Sequence, residues 1–120
     1  LEKTFYDRHG RPIAYTEDRL HIYLFDGTPV GYFDEESIYS YRGIHLGRYE
    51  DGWVRDNSGR CVFFTENVTG SGPVQPVKHV KPVKHVNHVL PVKYLRHVKP
   101  VRPVNMLAWS DLSGDQFFYQ

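Results

Sequence analysis

The chain has a single cysteine, Cys61, among 120 residues. An internal disulfide is therefore excluded, and redox chemistry leaves the compartment open. No apolar run approaches the roughly 20 residues of a membrane-spanning helix. No signal-peptide pattern stands in these residues, and with Leu1 as the first of them the sequence is silent about anything upstream. No window carries the apolar stripe of an amphipathic helix. The glycine-rich turns are not phosphate loops, because none leads into Gly-Lys-Ser/Thr. Residues 73–105 lack both glycine and acid. The first of these absences rules out a collagen-like helix. The second exposes an asymmetry hidden by the net charge of +1: residues 1–72 carry eight Lys/Arg against twelve Asp/Glu, while residues 73–105 carry seven Lys/Arg alone. A basic segment beside an acidic one suits docking of one on the other, within or between chains, or docking on an outside polyanion.

What is present is repetition. Glycines fall at Gly10, Gly27, Gly43 and Gly59, and three residues after each stands Ile13, Val30, Leu46 or Val62. Ala14, Gly31, Gly47 and Phe63 come next, and seven residues after each glycine stands an acid, Glu17, Asp34, Glu50 or Glu66. Repeats of this kind decide an architecture before single residues are read. Each unit holds two runs of four to six β-prone residues, with turn signals about every eight residues, such as Asp26-Gly27. The pattern predicts an all-β head of four hairpins around a pseudo-four-fold axis, over residues 1–72, with helix content near zero. The aliphatic column would meet at the centre, and the small residues beside it would let backbones approach closely. Phe63 breaks the small column, which predicts that the fourth unit sits at an edge or contacts the tail.

The stretches LFDGTPVGYFDEESIYSY and YRGIHLGRYEDGWVRDNSG resemble the small bacterial proteins called 4-fold beta-flower proteins. The resemblance covers roughly residues 5–66. It implies a four-fold arrangement of β-hairpins and brings no activity and no catalytic residues. A weaker likeness to aromatic cell-wall-binding repeats lacks the tryptophans that stack on such ligands, since only Trp53 lies within the repeats.

From Pro73 to Asn105 the period changes to three: eleven triplets with Pro, His or Tyr first, Val or Leu95 second, and mostly Lys or Arg third. Six prolines exclude an α-helix, and in a strand successive valines would alternate faces. Polyproline II, with three residues per turn, places Val on one stripe and the cations on another. At ~3.1 Å per residue such a tail extends roughly 100 Å, whereas a compact chain of this length is only about 35 Å across. It must bend back, project, or run along a partner chain. Aliphatic side chains each worth roughly 1.5–3 kcal/mol on burial favour packing over exposure. Residues 106–120 end in Leu107, Trp109, Leu112 and Phe117-Phe118-Tyr119, an aromatic anchor expected to return to the β surface near Phe5 and Tyr6.

Candidate chemistry is sparse. The repeat acids could be imagined as a carboxylate pair for glycoside hydrolysis, but they sit in turns among other acids and nothing sets one pKa apart. Tail histidines His79, His85, His88 and His97 share one stripe at ~9 Å steps, too far apart to share a zinc. Cys61 lacks a neighbouring His and reads as a buried thiol. Asn67-Val68-Thr69 matches a glycosylation sequon without a secretion signal to support it. The reading is therefore a non-enzymatic structural or interaction module, with no cofactor and no metal, forming a homo-oligomer through Val80, Val83, Val86 and Val89. The alternative is binding of a nucleic acid or anionic surface through Lys78, Lys81, Lys84, Lys93, Arg96, Lys99 and Arg102.

Overall fold

A computed structural model describes residues 2–120. Eight strands follow one another: β1 (Lys3–Tyr6), β2 (Pro12–Thr16), β3 (His21–Leu24), β4 (Pro29–Asp34), β5 (Ser37–Tyr39), β6 (His45–Glu50), β7 (Trp53–Asp56) and β8 (Cys61–Phe64). Each pairs antiparallel with the next, and β8 returns to β1 through Tyr6 and Phe64, closing a barrel. The all-β expectation holds, apart from one short helix, α1 (Gly114–Phe118).

The barrel curves because every repeat bends at the same place. The ladder slips between Phe5 and Tyr6, Ile22 and Tyr23, Ile38 and Tyr39, and Val54 and Arg55. A bulge at each site sharpens the local twist, so short strands can close on themselves. The residue before each slip points inward, and Phe5, Ile22, Ile38 and Val54 are fully buried. With Val30, Leu46 and Val62, and with Ile13 packed against them, they fill the barrel. The small column works as its residue sizes suggest: a Cβ on Gly47 would stand 2.1 Å from the Arg55 carbonyl oxygen.

The two ends of the barrel differ. At one end lie the turns with Gly10, Gly27, Gly43 and Gly59, whose φ of +80° to +94° suits glycine. At the other lie the acidic turns, where Arg19, Glu35 and Asp51 take left-handed φ values of 61°, 55° and 53°. The glycine end is stoppered by α1. Its start is fixed by a capping box, with the Ser113 hydroxyl accepting from the Gln116 N–H and the Gln116 side chain accepting from the Ser113 N–H. Phe117 and Phe118 are buried against Phe63, at ring-centroid distances of 5.6 Å each. The terminal Gln120 amide donates to the Leu46 carbonyl at 3.1 Å. Phe63 thus breaks its column to receive α1, in a barrel without an edge. The anchor returns in two places. Phe117 and Phe118 join the core cluster that holds Phe5, and Trp109 packs outside against the cluster of Tyr6, Trp53 and Phe64, while Leu107 and Tyr119 stay exposed.

Candidate functional site, a belt around the barrel

The outer wall alternates with the inner one, and its columns prepare a track. Across each hairpin with an acidic turn, two outward side chains stand side by side. Tyr15 stacks on Tyr23 at 6.0 Å, Tyr32 on Tyr39 at 5.9 Å, and, across the closing pair, Tyr6 on Phe64 at 5.5 Å. The fourth pair, directly opposed on β6 and β7, is Arg48 and Arg55.

Residues 73–105 carry no helix or strand and run over this wall in the same chain. The chain is delivered there by residues 67–72, where the Trp53 indole N–H donates to the Gly70 carbonyl at 3.0 Å. The tail then visits the four glycine turns in order. The N–H groups of His79, His88, His97 and Met106 donate to the carbonyls of Gly10, Gly27, Gly43 and Gly59 at 2.8–3.0 Å. Between them, His85 donates to Phe25 and Tyr94 to Tyr41, both at 2.9 Å. Pro76 and Pro103 stand at the equivalent tail positions and have no N–H to give. The turn glycines have a second reason to be glycine. A Cβ on any of them would fall 2.0–2.2 Å from a tail carbonyl oxygen, of Val77, Val86, Leu95 or Val104.

Tail and head therefore repeat together: nine tail residues pass each quarter of the barrel. Written in nines, the tail begins each block with Pro-Val at Pro73, Pro82, Pro91 and Pro100. That longer period was present in the sequence but is masked by the triplet within it.

The side chains sort by place in the triplet. The third place turns inward. Lys84 bridges Glu2 and Glu17, Lys81 bridges Glu2 and Glu66, Arg96 meets Asp34 at 2.7 Å, and Arg102 joins Glu36 and Glu50. Lys78, Lys84 and Lys93 sit over the rings of Tyr6, Tyr15 and Tyr32, and Arg96 over Tyr39, at 4.3–5.7 Å from the centroids. The Tyr15 hydroxyl donates to Asn87 at 2.7 Å. The Asn105 amide, with Arg102, holds the Glu50 carboxyl below the usual carboxylate range against the opposing effect of burial. Of the seven tail cations, Lys99 is the one without an ion pair or ring partner among the described residues.

The second place turns outward. Val80, Val83, Val86 and Val89 are 85–93% exposed, and the other seven aliphatic residues of the stripe are equally bare. This differs from the expectation that the aliphatic side chains pack: within the chain they face away from the wall, and the cations face it. The tail takes the first of its three possible courses, bending back on its own head. It lays cations and backbone on the wall, where carboxylates, ring faces and turn carbonyls meet charges and N–H groups that a valine side chain could not satisfy.

The arginine quarter closes the belt. Arg55, 6% exposed, donates to the carbonyls of Gly59 at 2.9 Å, Met106 at 2.5 Å and Ser71 at 2.8 Å, so one guanidinium holds the residues on either side of the tail. Arg48 donates to the Pro100 carbonyl at 2.9 Å. Beyond it Cys61 pairs with the returning chain: its N–H donates to Ala108, and its carbonyl accepts from Ser110. Burial pushes the Cys61 thiol up to about 11, the opposite of an activated nucleophile. Among the described residues, no three His, Cys, Asp or Glu side chains gather as a metal site, and no helix is long and apolar enough to cross a membrane.

With the geometry in place, comparison with known proteins adds one finding. Residues 3–118 match the family described as 4-fold beta flower protein, a span that takes in the tail and α1 as well as the hairpins. No curated protein and no solved structure matches the chain. The chain belongs to the 4-fold beta-flower family.

Proposed function

We propose that this beta-flower protein is a structural interaction module that associates side to side with further copies of itself through its apolar belt. The observation that carries the reading is the outward stripe of eleven aliphatic side chains, from Val74 to Val104, each 77–93% exposed. A monomeric protein rarely exposes a contiguous apolar patch beyond a few hundred Å². A polyproline-like course fits the belt: at ~3.1 Å per residue, 33 residues run roughly 100 Å, against a circumference on the order of 110 Å for a body 36 × 35 Å across. Every side of that body then carries the same uncharged stripe at the same spacing, which a second copy can match and a charged partner cannot. One side buries less than a standard protein interface, so pairs are weak and four-sided contact favours concentration-dependent growth over one fixed dimer.

Light scattering across concentration tests this on the full chain. The mass should rise with concentration, and joint replacement of Val80, Val83, Val86 and Val89 by Asp should hold it at the monomer. Those side chains touch solvent, so the barrel itself should melt as before. A full chain that stays monomeric at every concentration overturns the reading. The polyanion alternative requires Lys78, Lys81, Lys84, Lys93, Arg96 and Arg102 to leave partners within the chain. Tight heparin binding that collapses with salt would put it ahead.

A further inference from the structure

The end of the barrel opposite α1 is open, and it is lined unlike any other part of the molecule. A cavity of about 350 Å³ lies there among Lys3, Thr16, Arg19, Phe33, Glu35 and Tyr49. That volume falls in the range of small-molecule sites, which favour the mouths of β-barrels. Its wall is aromatic. Phe33 meets the buried Phe5 edge to face at 6.3 Å and Tyr49 at 6.1 Å, so part of each ring is held by its neighbours and part looks into the cup. The Lys3 ammonium stands 5.5 Å from the Tyr49 ring centroid.

The charges around this wall are singled out by contrast. The neighbouring acids Glu2, Glu17, Asp34, Glu36, Glu50 and Glu66 are all taken by the belt. Lys3, Arg19 and Glu35 have no ion pair among the described residues. Arg19 and Glu35 also occupy left-handed turn positions, φ 61° and 55°, where glycine would fit with less strain. Asp51 takes the same conformation in the third acidic turn, so the backbone belongs to the repeat, and what marks the cavity is that Arg19 and Glu35 put long charged side chains there. The Arg19 turn is held all the same, its N–H donating to the buried Thr16 hydroxyl at 3.1 Å.

We infer that the mouth binds a small zwitterion with an apolar ring, namely an α-amino acid with an aromatic side chain. Lys3 and Arg19 take the carboxylate, Glu35 takes the ammonium, and the ring lies against Phe33 and Tyr49. A purely anionic ligand would leave Glu35 opposed to it, and a purely cationic one would face two like charges. This site is independent of the belt, so its failure leaves the self-association reading untouched.

Calorimetry with L-phenylalanine on the full chain tests the inference, with phenylacetate and phenethylamine as the single-charge probes. Phenylalanine should bind more tightly than either. Arg19→Gly and Glu35→Gly should each weaken it by at least about tenfold. Glycine is the residue best suited to both backbone conformations, so neither thermal midpoint should fall, and lost binding cannot be blamed on unfolding. No binding of phenylalanine at millimolar concentration overturns the inference. So does binding of phenylacetate as tight as phenylalanine, or binding that both glycine variants leave unchanged.

Discussion

Three quarters of the barrel wall meet the tail with stacked rings, and the fourth meets it with two arginines. The ring quarters hold the tail through cations laid on aromatic faces and through ion pairs at the acidic turns. These contacts are half exposed, individually worth about 1 kcal/mol or less. The arginine quarter holds it through buried guanidinium bonds to main-chain carbonyls. The difference follows from what each quarter must do. In the ring quarters the tail only passes. In the fourth its beginning and end arrive together, and their converging carbonyls need donors. A ring has none to offer, and a guanidinium has five in a fixed plane.

The largest expected effect therefore comes from Arg55. Arg55→Met would strand the carbonyls of Gly59, Met106 and Ser71, and should cost roughly 3–5 kcal/mol in chemical denaturation. Arg55→Tyr, which restores the residue type of Tyr6, Tyr23 and Tyr39 in the same column, should do no better. Equal stability of Arg55→Tyr and the parent would break the contrast between quarters.

A smaller effect should come from His45, at the border of the arginine quarter. Its ring bonds Asn57 at 2.9 Å and Ser37 at 3.0 Å, and burial, with the charges of Arg48 and Lys99, holds its pKa below the ordinary value. A base depressed in the folded state binds fewer protons there than when unfolded. Stability should therefore fall as pH drops below the unfolded value of about 6.5 and level off beneath the folded one. His45→Asn should flatten that part of the curve in melts between pH 7 and pH 5, and an unchanged slope would assign the dependence elsewhere.

The smallest effect should be in a ring quarter. Lys93 lies 4.3 Å from the Tyr32 ring centroid and has no carboxylate partner among the described residues. Lys93→Met should cost about 0.5–1 kcal/mol, measured against the parent in urea. A loss as large as that of Arg55→Met would mean that the quarters hold the tail equally.

Much of the head was legible in the residues. Gly10, Gly27, Gly43 and Gly59 mark turns whose backbone most side chains would strain, and Gly47 marks a contact too close for a Cβ. Local sterics of this kind act within a few residues, so a sequence can display them. The inner column of Phe5, Ile22, Ile38 and Val54 carried the same spacing but was hidden among other β-prone residues. Only the bulge beside each member reveals that it faces inward. Of the sites, the tail cations and valines were visible as two stripes, but the sign of their orientation was not. Burial preference alone favoured valine inward, and the partners that reversed it, such as Glu17 and Tyr15 for Lys84, lie 67 and 69 positions away in the chain. The mouth charges were still less legible: Lys3, Arg19 and Glu35 stand 16 residues apart, at the repeat period, but differ in type and sign, so no matched column marks them.

The sequence by itself determined the repeat, the turns, the all-β character and a segment of 33 residues unable to be helix, because each is settled by backbone geometry over short range. Tertiary structure alone decided that the tail encircles its own head, which face it shows, and that Arg55 fastens the residues flanking it. Those outcomes depend on which partners meet once the barrel closes. A cation gains a ring and a carboxylate there, a carbonyl gains a guanidinium, and the valines are left for the outside.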